Sequence, residues 1–276
     1  MSGPHLAALY AYPIKSGQGL RLSSARLHAT GIENDREWLI VDDSGRFVTQ
    51  REQPRLATLK VQLQGDELRL LAPEQPTLTL ARSVTGKPCR VRIWRDECAA
   101  FDAGDAAAAW LSTWLCGTFR LVRFDRSEPR YSACEWTGET SAPNLFSDGY
   151  PLLVLSQASL DDLAARTGRH FPVERFRPNL LLDGVAAYAE DQIDELTIGP
   201  VRLRMVKPCT RCIITTTDPR TGSRDGDEPL RTLRGYRHDV RLQGATFGYN
   251  AIVIAGGGAQ LNVGQAVSFT LRRPPT

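Results

Sequence analysis

The chain has 276 residues, 42% of them hydrophobic and 24% charged, which is enough apolar material for a substantial core in one or two globular domains. A formal net charge of +3, with arginines scattered along the chain, gives no case for a nucleic-acid partner. No apolar run reaches the length of a membrane span, and Met1 to Pro4 has no secretory signal, so a cytoplasmic protein with no membrane partner is expected. The six cysteines (Cys89, Cys98, Cys116, Cys134, Cys209 and Cys212) are then expected to be reduced.

The first part reads as strands. Leu6 to Ala11 and Trp38 to Val41 are short apolar runs, the second closed by the turn residues Asp42-Asp43-Ser44-Gly45. Lys60 to Leu63 and Leu68 to Leu70 flank Gln64-Gly65-Asp66-Glu67, which predicts a hairpin. Leu78 to Leu80 and Val91 to Trp94 alternate again, and strands at this spacing suggest a barrel or sandwich. Asp105 to Cys116 breaks the pattern as a helix, with Asp105 as the expected N-cap and Gly117 as the stop. Trp110 and Trp114 share one face of it, which reads as a core face before a ligand platform.

Ser127 to Ser147 reads as a long loop between two lobes. A strand, Leu152 to Leu155, follows, and then a helix expected to open at Ser159 with Asp162 in a capping box and to stop at Gly168. Leu180 to Leu182 is an apolar run. Val201 to Val206 alternates as a strand, and Ile213 to Thr217 is β-branched and reads as another. Asp218 to Glu228 is a polar loop, and Ala251 to Ala255 and Ala266 to Leu271 are expected to be closing strands. Gly256-Gly257-Gly258 is too short for a nucleotide fingerprint and reads as a turn.

Cys209-Thr210-Arg211-Cys212 is therefore expected on a sharp loop between two strands, a setting for a reactive thiol or a soft-metal ligand. Spacing alone leaves open a redox dithiol, half of a zinc site or two inert core thiols. The β-branched residues that follow disfavour a thioredoxin-type helix. His5, His28, His170 and His238 have no ligand spacing to the pair, and there is no second close cysteine pair. Tyr12-Pro13-Ile14-Lys15-Ser16-Gly17 is a turn presenting an ammonium and a hydroxyl, which could bind a phosphate or simply be solvated. Arg36, Arg175, Arg177 and Asn179 form polar clusters suited to bidentate contacts or to surface ion pairs.

Taken together, these pieces resemble one family. Tyr12-Pro13-Ile14-Lys15-Ser16, Asp35-Arg36-Glu37-Trp38 and Thr49-Gln50-Arg51 look like its N-terminal domain. Ser147-Asp148-Gly149-Tyr150-Pro151, Arg175-Phe176-Arg177-Pro178-Asn179, Tyr188-Ala189-Glu190-Asp191 and Lys207-Pro208-Cys209-Thr210-Arg211-Cys212 look like its second. The family is the MOSC-domain proteins, in the branch of the mitochondrial amidoxime-reducing component and its bacterial relatives.

The resemblance implies a mainly β fold of two interlocked lobes, an N-terminal β-barrel over residues 1–125 and a MOSC β-barrel over 126–276, each with a helix. It implies a molybdenum cofactor, a pterin dithiolene carrying a phosphate, in the cleft between them. By carry-over Cys212 binds the metal, and Thr210 and Arg211 meet the cofactor from the same loop. Lys15, Ser16 and Arg36 hold the phosphate and pterin. Asp148, Gly149 and Tyr150 line the pterin, with Arg177 and Asn179 beside them. Lys15, Arg36 and Arg177 should then converge on one cleft.

The implied activity is two-electron reduction of N-hydroxylated compounds such as hydroxylamines and amidoximes, fed by a separate reductase or electron-transfer protein. The alternative is a carrier of the cofactor, or of sulfur on Cys212. A fold-level association with pyridoxal phosphate binding also attaches to the family. Tyr249, Ile193 and Tyr150 depart from the usual glutamine, tryptophan and small hydroxyl residue, which bears on the substrate pocket more than on the metal site. No counterpart of the ferredoxin domain or membrane anchor of some relatives is expected in these residues.

Overall fold

The computed structural model describes residues 3–83 and 86–272, and the fold is mainly β. Its centre is a nine-stranded sheet. Along it lie Leu20–Leu22, His5–Ala11, Leu180–Asp183, Leu152–Ser156, Gly244–Ala255, Val201–Thr210, Ile193–Ile198 and Ser268–Leu271, with His238–Asp239 paired to the side of Gly244–Ala255. The apolar runs explain its middle. Leu180 and Leu182 pack on one face with Leu6, Leu9, Leu152 and Val154, while Leu181 packs on the other with Tyr10, Leu155 and Phe247. A strand buried on both faces needs a continuous apolar run, and fully burying each such side chain contributes about 1.5–3 kcal/mol. Leu152–Ser156 and Leu180–Asp183 are parallel, which requires a crossover, and the helix Gln157–Thr167 supplies it.

Two smaller sheets build the first part. Trp38–Asp42, Phe119–Phe124, Asp96–Asp102 and Pro88–Ile93 form one, antiparallel throughout. Lys60–Gln64, Glu67–Leu71 and Leu78–Ala81 form a meander whose first turn is the expected hairpin, with Gly65 at φ 56°. The helix Asp105–Leu115 covers it, and Trp110 and Trp114 lie in the core with ring centroids 5.8 Å apart. The first and second parts interlock. Leu9 pairs with Leu180, and Gln260–Asn262 pairs with Ser24–His28. A cut at 125 would sever both pairings.

Several boundaries differ from expectation. The first helix has Gly104 as N-cap and Asp105 inside its first turn. It ends on Cys116 in the left-handed region, one residue before Gly117, where a Cβ would meet the Phe119 ring at 2.7 Å. The second helix begins at Gln157. Ser156 caps it by accepting from the Ser159 amide at 3.2 Å, and no Ser159–Asp162 capping box forms, since Asp162 accepts from Arg166 and from the Tyr188 hydroxyl. The Ser127–Ser147 loop contains a short strand pair and the helical turn Cys134–Thr137.

The largest departure is at the cysteines. The strand runs on to Thr210, so Cys209 is inside it, and Ile213–Thr216 is a 3-10 turn and not a strand. The Thr215 and Thr216 hydroxyls donate to the Cys212 and Ile213 carbonyls at 2.9 and 2.8 Å, and the buried Arg175 donates to the Thr215 and Thr216 carbonyls. Such local bonds offer the backbone an alternative to the ladder and override β-branched propensity.

No helix among the described residues is long and apolar enough to cross a membrane. Away from the cleft, Glu190 is fully buried. Its Oε1 accepts from the Ser159 hydroxyl at 2.8 Å, its Oε2 has no partner among the described residues, and burial raises its pKa. The native state therefore holds a proton that the unfolded chain releases earlier. That stability is complete below the unfolded carboxyl range and is lost as pH rises toward the native value. Denaturant unfolding of Glu190→Gln and the parent at pH 4.5 and 7.5 should show a smaller pH-dependent loss in the variant. Parallel pH profiles would refute the burial argument.

Candidate functional site

A cleft of about 340 Å³ lies where the first part meets the central sheet. All eleven residues named from the sequence line it: Lys15, Ser16, Arg36, Asp148, Gly149, Tyr150, Arg177, Asn179, Thr210, Arg211 and Cys212. Lys15 and Ser16 follow the His5–Ala11 strand on a turn held by the Lys15 amide on the Trp38 carbonyl (2.9 Å) and by Gln50 Nε2 on the Ser16 carbonyl (2.7 Å). Among the described residues nine non-glycines have positive φ, and four of them (Ser16, Arg36, Trp94 and Arg177) are among the 24 that line the cleft. Such backbone costs about 1–3 kcal/mol per residue, and it is concentrated at this cleft.

The cations are built in by tertiary contacts. Lys15 Nζ donates to the Phe146 carbonyl and to Asp148 Oδ1, each at 2.8 Å. Burial pulls its pKa down and Asp148 partly restores it. Desolvation opposes ionisation of Asp148, but the charge and hydrogen bond of Lys15, with the Trp94 indole N–H, hold its carboxyl well below the usual range. Arg36 Nη1 donates to Asp35 Oδ2 (2.6 Å) and Asn179 Oδ1 (3.1 Å), and its Nη2 to the Arg177 carbonyl (3.1 Å). Arg177 Nη1 donates to the Gly17 carbonyl at 2.6 Å. The Arg36 and Arg177 guanidiniums both lie against the Tyr12 ring, 4.5 and 4.2 Å from its centroid. Burial, then the like charge of Arg36, lowers Arg177 to about 10. Asn179 faces the cleft but its amide is taken up by Arg36, the Leu153 amide and the Tyr10 carbonyl, so it anchors the wall.

The cysteine loop closes one side. The Val201–Thr210 strand shifts register against Gly244–Ala255 between Met205 and Lys207 and again between Pro208 and Thr210. Irregularities of this kind re-aim side chains, and Pro208 adds a missing ladder donor. Both thiols are free and half-buried. Cys209 Sγ accepts from Arg211 Nη1 at 2.9 Å, while Cys212 Sγ accepts from Arg51 Nη2 at 3.3 Å. Of the buried donors without a partner among the described residues, two belong to residues that line this cleft: Arg177 Nη2 and Arg211 Nε. Unpaired buried guanidinium N–H groups are costly, so their presence at one cleft is what an anionic or acceptor-rich ligand would satisfy. No group of three or more His, Cys, Asp or Glu side chains suited to a metal gathers among the described residues, so the cleft offers one soft thiol with cationic surroundings and not a zinc set.

Sequence reasoning missed four contributors. Arg51 stacks 4.8 Å from the Trp94 centroid and faces Cys212, and Lys207 lies 4.9 Å from the Trp136 centroid. Arg130 folds the Asp148 segment by donating to the Leu145, Ser147 and Asp148 carbonyls. Arg224 donates to the Gln50 and Arg51 carbonyls. The Thr49-Gln50-Arg51 motif was the available signal for Arg51; the two clamps left none, because each acts across the tertiary fold.

Residues 3–118 match the MOSC N-terminal beta barrel domain, and residues 142–268 match the MOSC domain. Mitochondrial amidoxime-reducing component 1 of Mus musculus is 39% identical over 244 residues, covering 84% of this chain and 71% of the relative. The Homo sapiens protein of that name is 37% identical, covering 84% and 72%. Mitochondrial amidoxime reducing component 2 of Bos taurus is 35% identical, covering 84% and 72%. None of these descriptions mentions pyridoxal phosphate.

Proposed function

Because this chain belongs to the MOSC-domain family, we infer that it is a molybdenum-cofactor-dependent oxidoreductase that reduces N-hydroxylated compounds. The observation that supports the reading is the convergence on one cleft of the Cys212 thiol, the Lys15, Arg36 and Arg177 cations, and the unpartnered donors Arg177 Nη2 and Arg211 Nε. These residues fit the cofactor. A single soft sulfur suits molybdenum, and a phosphate and an acceptor-rich pterin suit guanidinium and ammonium donors.

Cys212 would hold the metal, with Arg51 facing its sulfur. An ammonium has three donors and Lys15 uses two inside the protein, which leaves one for an anion. Arg36 and Arg177 would bind beside it from a backbone already fixed by Tyr12 and Asn179. Thr210 and Arg211 would contact the cofactor from the cysteine segment, and Ser16, Asp148, Gly149 and Tyr150 from the opposite wall. When bound, the cofactor supplies the two-electron removal of oxygen from nitrogen. For a hydroxylamine the balance is R–NHOH + 2 e⁻ + 2 H⁺ → R–NH₂ + H₂O. The chain's own contribution is position, charge and partial exclusion of water. Burial, then the charge of Glu135, raises the Tyr150 phenol to about 12, so it would serve as a neutral hydrogen-bond donor and not as the acid.

The test is molybdenum content and turnover of an aryl amidoxime by protein from a cofactor-competent host. With a chemical reductant, stoichiometric metal and reduction to the amidine are expected. NADH or NADPH alone should drive nothing, because the sequence holds neither a nucleotide fingerprint nor ferredoxin-type cysteine spacing. Bound metal without turnover would favour a cofactor carrier. Turnover with NADPH and no partner would refute the need for a separate electron donor.

A further inference from the structure

Six cations line the cleft, and four of them are engaged by protein acceptors: Lys15, Arg36, Arg177 and Arg211. Lys207 and Arg51 are different. Among the described residues, the Lys207 ammonium has no hydrogen-bond or ion-pair partner, and it lies against the Trp136 ring. Arg51 has the Cys212 sulfur as its one side-chain acceptor and stacks on Trp94, which is 49% exposed. They come from opposite parts of the chain. Arg224 fixes the backbone of Arg51, and the bulged strand fixes that of Lys207.

No carboxylate among the described residues hydrogen-bonds or ion-pairs with either. Asp148 lies close enough to feel the Arg51 charge but accepts its hydrogen bonds from Lys15 and Trp94, and Glu135 pairs with Arg241 at 3.3 Å. Two cations without a hydrogen-bonded carboxylate, each against an indole, therefore line one partly desolvated space. An oxyanion there would be attracted by both, and a planar ring would find the Trp94 indole in the cleft lining to stack on. A cationic compound would meet like charge from both.

We propose that the Arg51–Lys207 region of the cleft is an oxyanion subsite that selects planar N-hydroxylated substrates bearing a carboxylate or phosphate over neutral ones, and neutral ones over cationic ones. This substrate class rests on the N-reductive reading above. Lys207 and Arg51 act here as specificity determinants, through binding of the substrate and not through the reacting bond.

The test uses the cofactor-loaded protein and three matched aryl amidoximes: unsubstituted, with a ring carboxylate, and with a ring trimethylammonium. The carboxylate should exceed the neutral compound in kcat/KM by about tenfold at low ionic strength, mainly through KM, and the ratio should shrink with salt. Lys207→Gln should reduce that ratio and Lys207→Glu should reverse it. Equal or inverted preference in the parent, or an unchanged ratio in Lys207→Glu, would overturn the proposal. A second measurement needs no turnover: tryptophan fluorescence quenching by benzoate and phenyl phosphate against benzamide. Tighter quenching by either acid, weakened in Lys207→Glu, supports the subsite, and equal quenching by all three overturns it. If no amidoxime is reduced, the N-reductive reading fails, while the quenching comparison still decides the anion subsite.

Discussion

Cys212→Ser is expected to abolish reduction of N-hydroxylated compounds, whereas Cys209→Ser should keep most of the molybdenum and a measurable rate. The two thiols are three residues apart but differ in setting. Cys209 lies inside the Val201–Thr210 strand, and its sulfur is taken by Arg211 Nη1 at 2.9 Å. Cys212 lies past the strand end at the start of the 3-10 turn, its carbonyl held by the Thr215 hydroxyl at 2.9 Å. Its sulfur faces Arg51, a cation with no carboxylate partner among the described residues. A serine oxygen is a harder, weaker donor than a thiolate for a soft metal. A loss of at least about a thousandfold in rate, about 4 kcal/mol in barrier, is expected for Cys212→Ser. For Cys209→Ser the expected cost is about 1–2 kcal/mol of stability, since Arg211 loses one sulfur contact and keeps the Phe176 carbonyl. Molybdenum content, turnover and denaturation of both variants beside the parent decide it. Equal loss of activity in two folded variants would point to a dithiol and remove Cys212 as the sole protein ligand.

Much of this site was legible in the sequence because its residues belong to short ordered motifs. Those motifs carried Lys15, Arg36, Arg177 and Cys212 to one cleft although up to 197 positions separate them. Periodicity supplied the strands. The apolar run Leu180-Leu181-Leu182 proves to be a strand buried on both faces, and Gln64-Gly65-Asp66-Glu67 forms the hairpin it suggested. Local rules failed where tertiary bonds outweighed them. Ile213 to Thr217 has strand propensity, yet threonine hydroxyls and the distant Arg175 turn it into a 3-10 segment. Trp94 read as the end of an alternating strand, but it sits at φ 54° and turns its indole to Asp148 and Arg51. Arg130 and Arg224 show nothing in their neighbours to mark them, since their acceptors lie up to 34 and 174 positions away.

Asn179→Ala is expected to lower stability by about 3–5 kcal/mol and to deplete bound molybdenum with it. The side chain is 1% exposed and holds three groups at once. Its Oδ1 accepts from Arg36 Nη1 and the Leu153 amide, each at 3.1 Å, and its Nδ2 donates to the Tyr10 carbonyl at 3.2 Å. Its own backbone pairs with the same two neighbours, Leu153 and Tyr10. Alanine would strand a buried amide, a buried carbonyl and one arm of Arg36, and each unsatisfied group costs about 1–3 kcal/mol. For a chain of this size the midpoint of thermal unfolding should fall by about 10 °C. Asn179→Asp separates the parts of this argument. A carboxylate can still accept from Arg36 and Leu153 but cannot donate to the Tyr10 carbonyl, so it should recover molybdenum content better than stability. The two effects have one physical source, because the side chain that bonds the His5–Ala11 strand through the Tyr10 carbonyl also accepts from Arg36 at the cleft. If Asn179→Ala lost less than about 1 kcal/mol, water would be replacing these bonds and the wall would be softer than its contacts imply. If stability fell while molybdenum content held, Arg36 would be positioned by Asp35 and Tyr12 without help from Asn179.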